Sequence, residues 1–360
     1  MQMRHALLLT AVFLMSVASS SSPAQTIHPL GVFGGMADIA ADEAGNLHLI
    51  WVDGTALKYG RVGNNAVTQQ ETVAGGVTTV FCRPRISVKR DGTGVHTTWV
   101  GPQALNSDNL YHAWRDAGGW HTETVWGMSN DKYFFPTCAV DGGGNVHLVA
   151  SKAAPNTAGR LFYARKQAGG AWSAEAALTD AAKDYVDVFM ANDAAGGVHA
   201  RWGAYDKSLR YRYAASGALL SDSATESIDA AQGTGSMGMG DLFVDGAGKV
   251  HFAINAYNGS VNVDYAFKSG GIVSVPQRIS GPITGQFEVT PSVGFGPDGK
   301  AYVLWSEGAG DLVKLGGRLG RVLLGRGGLA GPCLLSADDA HEAAQRRQID
   351  GDDRRRHHSR

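Results

Sequence analysis

A short phrase recurs along this chain: an Asp, a Gly-containing turn, an apolar residue, a ring-bearing residue, then an apolar run often closed by Trp. "DEAGNLHLIWVD" stands at 42–53, "DGTGVHTTWVG" at 91–101 and "DGGGNVHLVASK" at 141–152, with further copies opening at Asp193, Asp245 and Asp298. The ring-bearing residues are His48, His96, His147, His199, His251 and Tyr302, separated by 48, 51, 52, 52 and 51 residues. Six copies at so even a period indicate a repeat architecture, in which each copy is a supersecondary unit that cannot bury its apolar surface alone.

The better-preserved copies each hold four short strand-like runs. In the third these are "PTCAVD", "NVHLVAS", "RLFYARK" and "AWSAEAAL"; the fourth reads "VDVFMAND", "GVHARWG", "SLRYRYA" and "ALLSDSA". The third run carries an apolar residue with an aromatic two places on, Leu57/Tyr59, Leu161/Tyr163, Leu209/Tyr211 and Val263/Tyr265. That alternation puts both on one face of a strand. The Asp–Gly turn joins first and second runs, the carboxylate capping turn amides and Gly permitting positive φ. Four antiparallel strands in about fifty residues make one propeller blade, and blades stacked face to face round an axis bury what one sheet cannot. The expected fold is all-β: a β-propeller of four-stranded antiparallel blades, six recognisable, the last incomplete. No other fold class is called for, because the repeat region shows no helical period.

Residues 1–25 read as a secretion signal. Arg4 gives a positive start, "ALLLTAVFLM" an apolar stretch too short for an ordinary spanning helix, and "SVASSSSPAQT" a small-residue exit with cleavage expected near Ala24. The propeller is expected over 26–310, in a secreted protein, periplasmic or extracellular, without a membrane span and monomeric. Residues 311–360 differ in character. They hold nine Arg and one Lys, against twelve Arg and ten Lys in 1–310, and no Phe, Tyr or Trp follows Trp305. The expectation is that the sixth blade loses its third and fourth strands near Gly310. The rest is then either a frame-shifted ending or a disordered basic tail.

A net charge of −1 gives no global electrostatic case for nucleic acid or an anionic membrane. Gly is abundant at 49 residues and Pro is not, at 11, which fits many tight turns. With only Cys82, Cys138 and Cys333, the fold is held by its core rather than by a disulfide framework. The spacing does not specify a Cys82–Cys138 bridge.

The recurrent "D-x-x-G-x-x-H-apolar-x-W" and its variants, over about residues 35–307, resemble the BNR-repeat, sialidase-like propellers, which include sialidases and propeller-type polysaccharide lyases. The stricter S-x-D-x-G-x-x-W box of sialidases is not reproduced. The resemblance implies a propeller acting on glycans. It also implies an arginine set for a sugar carboxylate, for which "CRPRIS" offers Arg83 and Arg85, and the end of a second strand offers Arg201.

Function in a propeller is expected at the axial mouth, on segments entering the first strand or leaving the second. The recurrent histidines occupy one position beside the Asp turn, at the other end of the blade, and are expected to pack and hydrogen-bond rather than to converge on a metal. The non-recurring mouth residues are the candidates. For catalysis these are His112, Tyr133, Asp187 and Glu288; for substrate binding, Arg83, Arg85, Lys152, Arg201 and Tyr257. His112 is the pointed departure, standing where the other complete third strands have Tyr. No cofactor is called for, and a structural Ca2+ in the central channel stays open.

Two readings follow. One is a carbohydrate-active enzyme on an acidic polysaccharide or glycan. As a lyase, Arg83 or Arg201 would neutralise a uronate while His112 or Tyr133 takes the C5 proton. As a glycosidase, a carboxylate pair from Asp187, Glu288 and Glu307 would serve. The other is a non-catalytic sugar- or protein-binding module.

Overall fold

The computed structural model describes residues 33–44, 46–63, 66–77, 84–104, 107–127, 132–153, 160–179, 185–204, 209–221, 226–228, 235–257, 260–280, 291–295, 301–307, 312–317 and 322–324. These residues form six antiparallel sheets, and no helix among them is long and apolar enough to cross a membrane.

Sheet 1 is β1 (Phe33–Ala41), β2 (Leu47–Asp53), β3 (Ala56–Gly63) and β4 (Ala66–Gly75). Sheet 2 is β5 (Arg85–Val88), β6 (Val95–Ala104), β7 (Ser107–Asp116) and β8 (Gly119–Trp126). Sheet 3 is β9 (Lys132–Val140), β10 (Val146–Ala153), β11 (Arg160–Lys166) and β12 (Ala176–Ala177). Sheet 4 is β13 (Tyr185–Asn192), β14 (Val198–Ala204), β15 (Leu209–Ala214) and β16 (Glu226–Ser227). Sheet 5 is β17 (Gly235–Val244), β18 (Val250–Tyr257) and β19 (Val261–Ser269), with β20 (Ile272–Val273) and β21 (Gln277–Arg278) both on its outer side. Sheet 6 is β22 (Ser292–Phe295), β23 (Ala301–Glu307), β24 (Leu312–Gly317) and β25 (Val322–Leu324).

The sixth sheet corrects the expectation of an incomplete last blade. The run Leu312–Leu315 pairs with β23, Leu315 opposite Leu304, and β25 pairs with β24 in turn. Aromatic residues are lost there, yet "LVKL" still pairs as a strand, whose ladder is made by backbone groups.

Each apolar cluster is shared by two consecutive sheets. Ile50, Leu57 and Tyr59 meet Ile86 and Trp99; Val100, Leu110 and Trp126 meet Leu148 and Ala164. Val149, Leu161 and Tyr163 meet Val188 and Trp202; Leu209 and Tyr211 meet Leu242 and Phe252; Val261 and Val263 meet Val293 and Val303. Trp51, Trp202, Tyr59, Tyr211 and Phe252 are fully buried, each worth roughly 1.5–3 kcal/mol of apolar transfer. The core therefore lies between blades, which is why no single copy of the repeat can stand alone.

The innermost strands β1, β5, β9, β13, β17 and β22 line the axis. At the end bearing the Asp turns, Arg90 Nη2 of sheet 2 donates to the Val244 carbonyl of sheet 5 at 3.2 Å. Asn192 Nδ2 of sheet 4 donates to the Val88 and Val140 carbonyls at 3.1 and 3.0 Å. Side chains thus tie four blades across the axis at the turn end. Toward the other end the first strands are bulged, in β1 between Phe33 and Ala37, in β9–β10 at Val149/Ser151, in β13 between Val186 and Val188, and in β17 between Ser236 and Gly240. Such bulges re-aim neighbouring side chains. Gly240 is required at its bulge: φ is +146°, and a Cβ there would stand 2.0 Å from the Ala253 carbonyl oxygen.

Candidate functional site

The register identifies a ring of equivalent positions. The residue facing the recurrent ring-bearing residue is Ala40, Ser87, Ala139, Ala191, Phe243 or Gly294. Two residues back along each first strand stand Asp38, Arg85, Thr137, Phe189, Asp241 and Ser292. Strand alternation gives each the same aspect within its blade, so this row belt the channel at one level. It carries two carboxylates, a guanidinium and an aromatic ring, and nothing in it recurs from blade to blade except Asp.

The charged members are held together. Arg85 Nη1 lies 3.5 Å from Asp38 Oδ1, and Arg85 Cζ sits 3.8 Å from the centroid of Phe189. Arg201, the β14 residue opposite Phe189, places its Cζ 4.4 Å from the same ring and has no solvent-exposed surface. A ring face is an attractive seat for a guanidinium because of its quadrupole. Asp38 Oδ2 accepts from the Ile86 amide at 2.9 Å, and Asp241 Oδ2 accepts from the Val293 amide at 3.2 Å, each bond crossing to the next blade.

The side chains of Asp38 and Arg85 keep 22 and 20 % of their surface open. Burial is nevertheless the largest influence on Asp38 and raises its carboxyl above the ordinary value, against the pull of Arg85 and two backbone amides. Burial, followed by the charge of Asp38, pushes Asp241 up to about 7, opposed by Arg85, Arg201 and the Val293 amide. Asp241 is thereby a carboxylic acid that holds its proton close to neutrality, in the same row as the Asp38 carboxyl paired to Arg85.

The recurrent histidines do as their repetition suggests. His48, His147, His199 and His251 each bond the third-strand Tyr through Nδ1, to Tyr59, Tyr163, Tyr211 and Tyr265, at 2.8, 2.9, 2.7 and 2.7 Å. Through Nε2 each meets its turn Asp, at 3.3 Å to Asp42, 3.4 Å to Asp141, 3.0 Å to Asp193 and 3.1 Å to Asp245. The turn carboxylate also caps amides, as Asp141 does for Asn145 at 2.8 Å. These are buried, satisfied polar networks that fasten the first three strands of a blade. Among the described residues, no group of three or more His, Cys, Asp or Glu is arranged to hold a metal ion. Cys138 is a free, buried thiol with its pKa pushed up to about 12 by desolvation; Cys82 lies outside the described residues.

Of the sequence candidates, Arg85 and Arg201 come together on Phe189. Arg83 and Glu288 lie outside the described residues. Tyr133 is opposite Lys152, Asp187 occupies the bulge of β13 two residues before Phe189, and Tyr257 ends β18 opposite Val261; only their backbones are described. Lys152 Nζ bonds Glu175 Oε1 at 3.0 Å. His112 is two strands out from Arg85, in the row Arg85–Thr98–His112–Glu123, with its ring nitrogens on His96 and Glu123. Asp38, Phe189 and Asp241 are absent from the sequence candidates, because attention to loops at the mouth passes over mid-strand positions. A signal was there: the row stands ten residues before His48, His147, His199, His251 and Tyr302, and eleven before His96, whose turn is one residue longer.

No protein-family model and no curated protein matches the chain. Solved structures do match in fold. An α-L-arabinanase of Penicillium chrysogenum complexed with arabinobiose aligns over 78 % of this chain and 92 % of its own, with a TM-score of 0.54 and 11 % identity. A GH93 α-L-arabinofuranosidase of Fusarium graminearum aligns over 75 % and 87 %, at 0.51 and 11 %. The Aleuria aurantia lectin, in complex with a fucosylated disaccharide, aligns over 82 % and 97 %, at 0.50 and 13 %. At such identities the likeness is one of architecture, and it agrees with the six sheets: this chain folds as a β-propeller of four-stranded antiparallel blades.

Proposed function

We propose that this chain is a secreted carbohydrate-active propeller that cleaves an acidic glycan as a glycosidase in its axial channel. Asp241 is the proton donor to the leaving oxygen. Asp38 is the carboxylate that acts as base or nucleophile, and Arg85 and Arg201 favour a glycan carrying a carboxylate or similar anion. The observation that carries this reading is the placing of Asp38 and Asp241 in one channel ring, both raised by burial, the first paired to Arg85 at 3.5 Å and the second pushed up to about 7. Two carboxyl groups with different proton affinities are what glycoside hydrolysis needs. Planar guanidiniums suit an anionic sugar substituent. Two of the fold neighbours, the arabinanase and the arabinofuranosidase, are glycosidases on this architecture. The lyase variant gains less support, since His112 has both nitrogens engaged within the blade.

A second reading is a propeller that binds sugar without cleaving it. Asp38 and Asp241 each accept an amide of the following blade, at 2.9 and 3.2 Å, and carboxylates so used also serve as staples between blades. The fold likeness to a lectin accords with it. Incubation with a panel of uronate-containing polysaccharides and arabinans separates the readings. New reducing ends that disappear in Asp241→Asn support the glycosidase, and ultraviolet-absorbing unsaturated ends would instead mark a lyase. Saturable binding with no cleavage would leave the binding module.

A further inference from the structure

Sheet 2 breaks the Asp–His–Tyr pattern twice. Its turn carboxylate, Asp91, bonds the amide and hydroxyl of Thr93 at 2.9 and 2.6 Å and pairs with Lys89 at 2.9 Å, so it does not hold His96. Its third-strand residue is His112 in place of Tyr. What replaces the pattern is a chain of acceptors and donors. His112 Nδ1 is 2.9 Å from Glu123 Oε1, and His112 Nε2 is 3.0 Å from His96 Nδ1. The two imidazoles are nearly parallel at 15° with centroids 5.2 Å apart, a separation that accommodates the N···N contact between ring edges.

The direction of this chain follows from its anchor. Glu123 Oε1 also accepts from Lys166 Nζ at 2.6 Å and from Trp172 Nε1 at 2.8 Å, and these partners with His112 hold its carboxyl down at about 2. An ionised carboxylate only accepts. His112 therefore donates through Nδ1 and, being neutral, accepts at Nε2; His96 then donates through Nδ1. His96 Nε2 is left as an acceptor, and it has no hydrogen-bond partner among the described residues. Burial holds both imidazoles below the ordinary histidine range, His96 at about 3, which keeps both rings neutral at pH 7.

The His96 ring lines a cavity of ≈ 180 Å³ between sheets 2 and 3, with Trp114, Val146, Lys166 and the turn Gln167–Gly170 as further walls. Lys166 rests over the Trp114 ring at 4.2 Å. Its charge is matched by Glu123, so the cavity offers a neutral acceptor, ammonium donors, an aromatic wall and glycine backbone, with no net charge. That is room for several waters or a small polar ligand.

We propose that this cavity is a second ligand site, separate from the axial ring, for a neutral hydroxyl-bearing sugar unit that donates a hydrogen bond to His96 Nε2 and lies against Trp114. A neutral polyol fits because it brings the donor that the fixed tautomer lacks and requires no counter-charge. The inference does not rest on cleavage in the channel.

The test is calorimetric titration of the full chain with free arabinose, galactose, glucose and fucose, and with glucuronate as the charged control. At least one neutral sugar is expected to bind saturably. His96→Phe should weaken it by about tenfold, the loss of one well-placed hydrogen bond, whereas His96→Gln keeps an acceptor and should stay within about threefold. Ala168→Phe, on the exposed turn, should close the cavity and abolish binding without touching the relay. Melting curves show whether each variant is folded. No variant alters a residue of the channel ring, so any glycan cleavage there should persist, which separates this proposal from the one above. Absence of binding by every neutral sugar overturns it, as does binding that survives both His96→Phe and Ala168→Phe, or tighter binding of glucuronate.

Discussion

Asp38 and Arg85, on the first strands of consecutive blades, meet at the channel wall with 3.5 Å between Oδ1 and Nη1. The pair does two things at once. It offsets part of the desolvation that raises the Asp38 carboxyl, and it presents a guanidinium to anything that enters. Arg85→Met should therefore weaken an acidic oligosaccharide by about 2 kcal/mol, the scale of a charge-assisted hydrogen bond, while a neutral oligosaccharide of the same length loses little. Binding measured for both ligands, on wild type and variant, checks the difference.

In the proposed glycosidase Asp241 sets a pH limit on cleavage. A carboxyl pushed up to about 7 holds its proton below that pH and loses it above. As a general acid it gives a rate that falls about tenfold per pH unit beyond the limit. The acid limb lies above the ordinary aspartate value of 3.8, because burial raises Asp38 as well. A kcat/KM profile from pH 4 to 9 should be a bell with its basic limb close to 7; a flat profile would assign the proton elsewhere.

The same carboxyl weakens the fold at high pH. The folded state keeps a proton that the unfolded chain releases between 3.8 and about 7, so stability is lost as pH rises through that window. Asp241→Asn should raise the melting temperature at pH 8 and change it little at pH 4. Together with lost activity, that would be a trade of stability for function at one residue.

Acid acts through the histidines. Burial depresses His48, His96, His112 and His147 below the ordinary value of 6.5. Below that pH the unfolded chain takes up protons that the folded blades refuse, so stability falls as pH drops through 6.5. Turn carboxylates add to the loss lower down: His199 and other partners hold Asp193 below 3.8, and its share vanishes as it protonates. Unfolding midpoints in urea at pH 7, 6 and 5 should decrease steadily.

Each blade can be tested separately. Tyr163→Phe removes the hydroxyl that meets His147 Nδ1 at 2.9 Å and leaves a buried nitrogen unpaired, at about 1–2 kcal/mol. Gly240→Ala should cost about 3 kcal/mol or more, since the Cβ meets the Ala253 carbonyl at 2.0 Å in a conformation that L residues avoid. Chemical denaturation of both variants measures the costs.

The blade plan was legible because its period is imposed by packing. Leu57 and Tyr59 recur as Leu161 and Tyr163 since every blade faces the same kind of neighbour. The Asp–turn–His phrase was readable for the same reason, as was the exception at His112, although its partners Glu123 and Lys166 come from an outer strand and the next blade. The channel ring was legible only at Arg85, although its row keeps a near-constant spacing before the ring-bearing residues. Asp38, Phe189 and Asp241 sit inside apolar first strands, where alternation does not tell an axis-facing position from one between blades. Sheet 6 was misjudged at Gly310 because β24 and β25 keep backbone pairing while losing the aromatic marks of the repeat.

The most direct trial of the account is reducing-end release from uronate-containing polysaccharides near pH 6 by wild type, Asp241→Asn and Asp38→Asn. The account predicts cleavage by wild type and a loss of about a hundredfold or more in each folded variant, the scale of removing a catalytic acid or base. Cleavage that persists undiminished in both variants would contradict it.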